Sequence, residues 1–164
     1  GKDEGVKASE FPDFLRGLEI PGATVGPVLN DKGEPAGSGS GLEYGFVVTS
    51  AHGARMAFQV ALQEEGGATG DGPPASYPEA VEIEEDRLVC RDVEASVSNW
   101  IGRSEAGKHI REISRYSDGE KRGIRYGLRL DLYNGGRVFI QALWILEPGE
   151  PYTRDNKFRM REAV

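Results

Sequence analysis

The chain has 164 residues, 23 of them glycine, and a formal net charge of −7. This length fits one ordinary domain or two very small ones, and no apolar run reaches the length of a membrane-spanning helix. The acidic balance disfavours a dedicated nucleic-acid binder, because such proteins gain affinity largely by neutralising phosphates. Composition therefore points away from nucleic acid and membranes as partners.

The first strong pattern along the chain is GLEYGFVVTSAHGARMAFQV, residues 41–60, which predicts a β-hairpin. Apolar residues alternate on both sides of His52-Gly53, as expected for strands with one buried face. Upstream, ATVGPVLNDKGE (23–34) predicts a further strand, and DFLRG (13–17) predicts a short aromatic-bearing segment before it. Residues 1–62 are therefore predicted to form a first β unit.

Residues 63–78, rich in glycine and proline, predict an exposed linker loop because they show no apolar periodicity. Neither a GxxxxGK[ST] nor a GxGxxG spacing occurs in this stretch, so a phosphate-binding loop is disfavoured. The linker is expected to connect two structured units and to carry no chemistry of its own.

The stretch EAVEIEED, residues 79–86, concentrates five acidic side chains. Val81 and Ile83 alternate as in a strand at 80–84, and we predict an apolar segment at 87–91 and a short helix at 92–101. Two interpretations of the acids stay open. They form either a solvated face that partly neutralises the basic stretch 103–129, or a surface that recognises a charged partner.

The hairpin then recurs at residues 123–142, with each residue 82 positions after its counterpart and no gap. Phe46 aligns with Leu128 and Val48 with Leu130, and all four are predicted to face the interior. Asn134-Gly135 supplies residues that tolerate positive φ at the turn. The identical pairs of the alignment are Gly41/Gly123, Tyr44/Tyr126, Gly45/Gly127, Gly53/Gly135, Arg55/Arg137 and Gln59/Gln141.

The repeat also extends upstream, since NWIGR (99–103) aligns with DFLRG, and HIREISRYSDGE (109–120) aligns with ATVGPVLNDKGE. Residues 79–147 are thus predicted to be a second β unit with an acidic insertion. One unit is too small to bury a core alone, but two packed together can. The predicted fold is α+β and mainly antiparallel β, with duplicated strand-plus-hairpin units packed as one compact domain with one or two short helices. Residues 148–164 form a basic tail, and its Tyr152, Phe158 and Met160 predict that part of it docks.

Few residues offer recognisable catalytic chemistry. Cys90 is the only cysteine, which excludes an internal disulfide and favours a reducing compartment such as the cytoplasm, and we interpret it as a small buried side chain. His52 aligns with Asn134 and is predicted at a hairpin turn, while His109 is predicted to flank a strand. Because no HxH or HExxH spacing occurs, we predict no metal, no cofactor and no motif-based catalytic residue.

These features favour a non-catalytic binding protein, an inhibitor that sequesters a basic protein partner as bacterial immunity proteins sequester toxins. Electrostatic complementarity would then favour rapid association. An enzyme with an Asp/Glu-based site, such as Asp131 with His109 or Glu43 with Arg125, stays open because such pairs leave no fixed spacing. A structural module whose sheet edges pair with a second copy or with another subunit is a third possibility. The chain is expected to be a monomer or a homodimer. The predicted binding residues are Tyr77, Glu79, Glu82, Glu84, Glu85 and Asp86.

Overall fold

A six-stranded antiparallel sheet curls into a half-barrel and forms one domain with two α-helices in the computed structural model. This confirms the predicted fold class. The structure describes residues 8–30, 32–37, 42–64, 72–73, 75–118, 126–153 and 160–164. In chain order the helices and strands are α1 (Phe11–Arg16), β1 (Ala23–Pro27), β2 (Phe46–Ser50), β3 (Arg55–Gln63), α2 (Cys90–Arg103), β4 (Ile110–Arg115), β5 (Gly127–Leu132) and β6 (Arg137–Leu146).

The strand order is β1-β2-β3-β6-β5-β4, so each half of the sheet is a three-stranded meander that follows one helix. Both helices pack on the same face, here called the inner face, because one core cluster holds Leu15 of α1, Val97 of α2 and side chains of both hairpins. The opposite face is called the outer face. Residues that alternate along the strands therefore point to different environments.

The predicted duplication is confirmed by the pairing register of the two hairpins. Phe46 pairs with Phe58 in the first, and the equivalent Leu128 pairs with Ile140 in the second. Phe46, Val48, Leu128 and Leu130 are all buried in the shared core, as predicted. A period-two pattern with one apolar face fixes the register, because a slip of one residue would expose that whole face.

The two turns repeat as well. The Ser50 amide donates to the Ala54 carbonyl, and the Leu132 amide donates to the Gly136 carbonyl, each at 2.9 Å. Each loop therefore has three residues, and its third residue is a glycine with positive φ, 101° at Gly53 and 90° at Gly135. A glycine in this place is typical of three-residue hairpin loops. His52 lies in the first turn, as predicted.

The halves meet where β3 pairs with β6, and Gln59 lies opposite its own counterpart Gln141. The neighbouring pairs Phe58/Ala142 and Val60/Ile140 are also images of each other under the 82-residue offset. The sheet thus has a local pseudo-two-fold axis at the glutamine pair. A β-bulge between Ala57 and Phe58 then breaks the symmetry.

Two matched glycines allow close backbone approach. A Cβ on Gly45 would lie 2.5 Å from the Phe58 carbonyl oxygen, and one on Gly127 would lie 2.1 Å from the equivalent Ile140 oxygen. Each glycine also makes a hydrogen bond to a side chain of its own unit's helix, but through a different backbone group. The Gly45 carbonyl accepts from Arg16 of α1, whereas the Gly127 amide donates to Glu94 of α2.

The prediction of a strand at 80–84 is wrong. Residues 80–84 form no strand, and the carbonyls of Val81 and of Pro78 just before the segment accept hydrogen bonds from helix side chains. Ser96 Oγ donates to Val81 O at 2.5 Å, and Asn99 Nδ2 donates to Pro78 O at 2.8 Å. The helix predicted at 92–101 forms and is longer, Cys90–Arg103.

The predicted alignment of residues 23–34 with residues 109–120 is wrong by two residues. Val25 pairs with Val48, and Ile113 pairs with the equivalent Leu130, so Val25 corresponds to Ile113 rather than Arg111. The loops before the two hairpins differ in length, which shifts the first strand along the sequence. β1 and β4 are also shorter than the predicted 23–34 and 109–120 segments, whose end at 119–120 lies outside the described residues.

The end of the chain docks on the domain. Leu88 and Val164 exchange two backbone hydrogen bonds, Met160 packs against the core, and Tyr152 lies against Trp144 with ring centroids 5.5 Å apart. Docking of the tail is thus confirmed for Tyr152 and Met160, while Phe158 lies outside the described residues. Residues 65–71 and 74 of the predicted linker also lie outside them. No described helix has the length and apolar character required to cross a membrane.

Candidate functional site

Residues 79–86 are here called the acidic strap. The segment carries five acidic side chains, and all five are exposed. None of them forms an ion pair with another described residue, so the interpretation that they neutralise the basic stretch is not supported there. Instead the basic residues pair elsewhere, as Arg115 does with Glu94 and Arg129 with Asp131. Among the described residues, the five acids therefore present negative charge to solvent without an ion-pair partner.

The strap is held in place by contacts with its surroundings. Ile83 is buried and touches Gly22, and the hydrogen bonds from Ser96 and Asn99 fix the backbone at Val81 and at Pro78. These bonds come from α2, a 14-residue helix. A segment anchored in this way presents its side chains without a large ordering cost on binding.

Apolar side chains lie beside these acids. Tyr77 is 43% exposed, and its ring packs against the backbone of α2 at Gly102, while Val81 is also exposed. A shallow groove lined by Leu18, Ile20, Pro21 and Trp100 adjoins the strap through Gly22. Tyr133, by contrast, is half-buried, and its hydroxyl donates to the Pro73 carbonyl.

Cys90 is buried, as predicted. Its thiol donates to the Arg161 carbonyl at 3.1 Å. Burial, reinforced by the nearby Glu94 carboxylate, raises the pKa of the Cys90 thiol to about 12. Because only the thiolate is a good nucleophile or metal ligand, Cys90 is poorly suited to either role at neutral pH.

The two histidines lie far apart in the fold. His52 in the first turn lies 2.7 Å from Ser50 Oγ through its Nδ1. His109 is buried immediately before β4, as predicted for a residue that flanks a strand, and it lines a cleft of about 300 Å³ with Glu10 and Glu105. No sequence pattern indicates this grouping, because Glu10 lies far along the chain from Glu105 and His109. No group of metal-ligating side chains occurs among the described residues.

Glu94 is a fully buried carboxylate in α2. It accepts from Arg115 Nε at 2.7 Å, from the Ser117 amide and hydroxyl, and from the Gly127 amide at 2.9 Å. These donors occupy both oxygens of the carboxylate, so this buried charge connects α2 to β4 and β5 and has a structural role.

A cavity of about 720 Å³ lies over the outer face of the first hairpin. Its lining includes Thr24, Thr49, Arg55, Trp144 and Tyr152. The Arg55 guanidinium lies over the Trp144 ring at 5.7 Å, and its Nη2 donates to the Glu150 carbonyl. No ion pair joins Arg55 to any described carboxylate.

The same surface of the second hairpin is charged and paired. Asp131, which is only 2% exposed, accepts from Arg129 Nε at 3.1 Å and from Arg137 Nε at 2.9 Å. These bonds occupy both oxygens of the Asp131 carboxylate, which counts against the alternative that Asp131 acts with His109 in catalysis. The other alternative pair, Glu43 with Arg125, is untested because Arg125 lies outside the described residues.

No sequence pattern predicts the Arg55 cavity. Its lining comes from β1, β2, β3, β6 and the segment after β6, so no local motif reports it. One signal was present in the repeat: Arg55 aligns with Arg137, but Thr49 stands where the second copy has Asp131. Among the described residues, Arg55 therefore lacks the carboxylate partner that Arg137 has in Asp131.

Comparison with known proteins gives no family assignment: neither a family model, nor a curated protein, nor a solved structure matches this chain.

Proposed function

We propose that this protein is a non-catalytic binding protein, of the inhibitor or immunity type, that uses the acidic strap to sequester a basic protein partner. The observation that carries the proposal is the strap itself, five exposed acids without ion pairs among the described residues, on a backbone fixed to α2. Its predicted binding residues are Tyr77, Glu79, Glu82, Glu84, Glu85 and Asp86.

The chemistry beside the strap supports a protein partner over a small cation. Interfaces combine an apolar, often aromatic centre with a polar rim. Tyr77 and Val81 are exposed beside the acids, and the groove lined by Trp100 adjoins them. The acids would attract a basic surface, and the apolar side chains would then be covered.

The test compares three forms of the protein as bait in a lysate of the native host. The first is wild type, and the second is the strap variant Glu82→Gln/Glu84→Gln/Glu85→Gln. The third is a control of equal net charge, Asp13→Asn/Glu34→Gln/Glu147→Gln, which removes exposed acids elsewhere. We expect wild type and control to retain a basic protein that the strap variant loses.

The retained protein is then purified and its association rate is measured as ionic strength rises. The rate should fall with salt, and the strap variant should change association more than dissociation, because exposed charges act mainly on encounter. Identical captured proteins for all three forms, or association independent of salt, would contradict the proposal and leave the strap as a solvated face.

A further inference from the structure

We propose that the outer cavity around Arg55 binds a small organic anion, a molecule that carries a carboxylate or phosphate head group on a flat apolar body. This inference goes beyond the proposed function, because it concerns a small ligand at Arg55 and none of the five acids lines the cavity. A volume of about 720 Å³ is within the range typical of small-molecule sites.

The charge of the cavity selects an anion. Arg55 is the only charged side chain in the described lining, and only its Nη2 makes a hydrogen bond to a described residue. Within the described part of the chain its Nε and Nη1 donors have no acceptor, so they can serve a ligand. A half-buried guanidinium binds carboxylate or phosphate well, because its planar fork donates two parallel hydrogen bonds. The hydroxyls of Thr24 and Thr49 add neutral donors.

The shape of the cavity selects a flat apolar body. Trp144 and Tyr152 supply aromatic surface, and Val47 and Leu42 add aliphatic surface. Trp144 reaches the outer face only because of the β-bulge, where β6 carries one extra residue, Leu143, between the partners of Ala57 and Phe58. Regular alternation from the inward-facing Ala142 would turn Trp144 to the core. Bulges of this kind often redirect a side chain at a site.

In the second hairpin the equivalent arginine already has a carboxylate partner. Arg137 pairs across the strands with Asp131, in the register that joins Arg55 to Thr49. In the second unit a carboxylate of the chain fills the position next to the arginine. The first unit leaves that position to a hydroxyl, so an external carboxylate or phosphate can take it.

The test uses two fluorescent probes, anilinonaphthalene sulfonate, which is anionic, and N-phenylnaphthylamine, its neutral analogue. Wild-type protein should bind the anionic probe more tightly than the neutral one. Arg55→Gln should weaken the anionic probe about tenfold and leave the neutral one unchanged, because only the charged hydrogen bonds are lost. Arg137→Gln is the matched control and should bind both probes as wild type does.

A second variant does not remove the arginine. Thr49→Asp introduces the carboxylate that Asp131 supplies in the other unit, so it should abolish the preference for the anionic probe with the circular dichroism spectrum unchanged. Displacement of the probe by naphthoate or by naphthyl phosphate then identifies the preferred head group. Equal affinity for both probes in wild type, unchanged binding in Arg55→Gln and Thr49→Asp, or displacement by neither compound would overturn the proposal.

Discussion

At the outer face of the first hairpin, Val47, Thr49 and Arg55 stand where the second hairpin has Arg129, Asp131 and Arg137. In the second hairpin the buried Asp131 pairs with both arginines, whereas in the first the lone arginine lies in a cavity beside Trp144. The inner faces show no such contrast, since both bury aliphatic and aromatic residues in one core. The shared core preserves the backbone, and the outer faces are free to differ.

The helices extend this contrast. The buried carboxylate of Glu94 lies between α2 and the strands of the second unit, where it accepts from Arg115 and Gly127. α1 has only six residues, and its Arg16 bonds to the Gly45 carbonyl from a partly exposed position. The described second unit is therefore held by buried ionic contacts for which the described first unit has no counterpart.

The largest expected effect comes from removing Glu94. Glu94→Ala should lower the free energy of unfolding by about 3 kcal/mol or more, because it leaves Arg115 and the amides of Ser117 and Gly127 without their acceptor. Urea denaturation measures the change. Glu105→Ala, which removes an exposed acid, is the control and should change stability by less than about 0.5 kcal/mol. Equal effects of the two variants would contradict a structural role for Glu94.

The next largest effect is expected at Gly45 and Gly127, where both units have a close backbone approach. Gly45→Ala and Gly127→Ala should each lower the free energy of unfolding by about 2 kcal/mol, because the new Cβ would overlap a carbonyl oxygen. Gly127→Ala should cost more, since its φ of 144° is also unfavourable for alanine. Gly26→Ala in β1, where a Cβ meets nothing within 4 Å, is the control in the same denaturation experiment. If Gly45→Ala resembles Gly26→Ala, the close approach is not a common requirement.

An exchange at the outer face gives a smaller effect. Asp131→Thr should lower the free energy of unfolding by about 1–2 kcal/mol, less than Glu94→Ala, because both arginine partners are partly exposed and regain water. The reciprocal Thr49→Asp should change stability by less than about 1 kcal/mol. Thermal and urea unfolding of the two variants measures the difference. An Asp131→Thr protein as stable as wild type would show that these ion pairs give no net stabilisation.

The smallest effect is expected at the turns. His52→Asn installs the second unit's turn residue and should alter the free energy of unfolding by less than about 0.5 kcal/mol, because both loops share the same hydrogen bonds and glycine. Gly53→Ala is the contrasting variant in the same urea series, since positive φ there disfavours alanine. A large loss of stability in His52→Asn would mean that the contact of His52 with Ser50 matters to the first unit.

The hairpins were predictable because their signal is local: alternation, turn residues and a gapless repeat all fall within about twenty residues of chain. Glu94 gave no such signal, since an acid within a helical pattern looks like a solvated residue until its distant partners are placed. Val81 and Ile83 alternate as strand residues do, yet the backbone between them bonds to Ser96 of α2. Side-chain partners for a backbone segment cannot be identified from periodicity.

The cavity around Arg55 could not be predicted either, because its lining depends on how distant segments pack. Arg55 and Thr49 belong to a predicted hairpin, but Trp144 reaches them only through a bulge, and Tyr152 only through the path of the chain after β6. A bulge arises from tertiary packing and carries no fixed sequence pattern. The exposed acids of residues 79–86 were predictable as a group because they are adjacent in the chain, whereas the groove beside them was not.

The pairing of Gln59 with Gln141 places one position of the repeat opposite itself. Two identical chains joined by a two-fold axis have this property, because an isologous interface sets each residue on the axis against its own copy. The sheet therefore has the geometry of a homodimer fused into one polypeptide. Fusion also ends the constraint that a substitution must occur on both sides of the axis at once. A single chain, unlike a homodimer, can hold threonine in one half and aspartate in the other at the same structural position, as it does at Thr49 and Asp131.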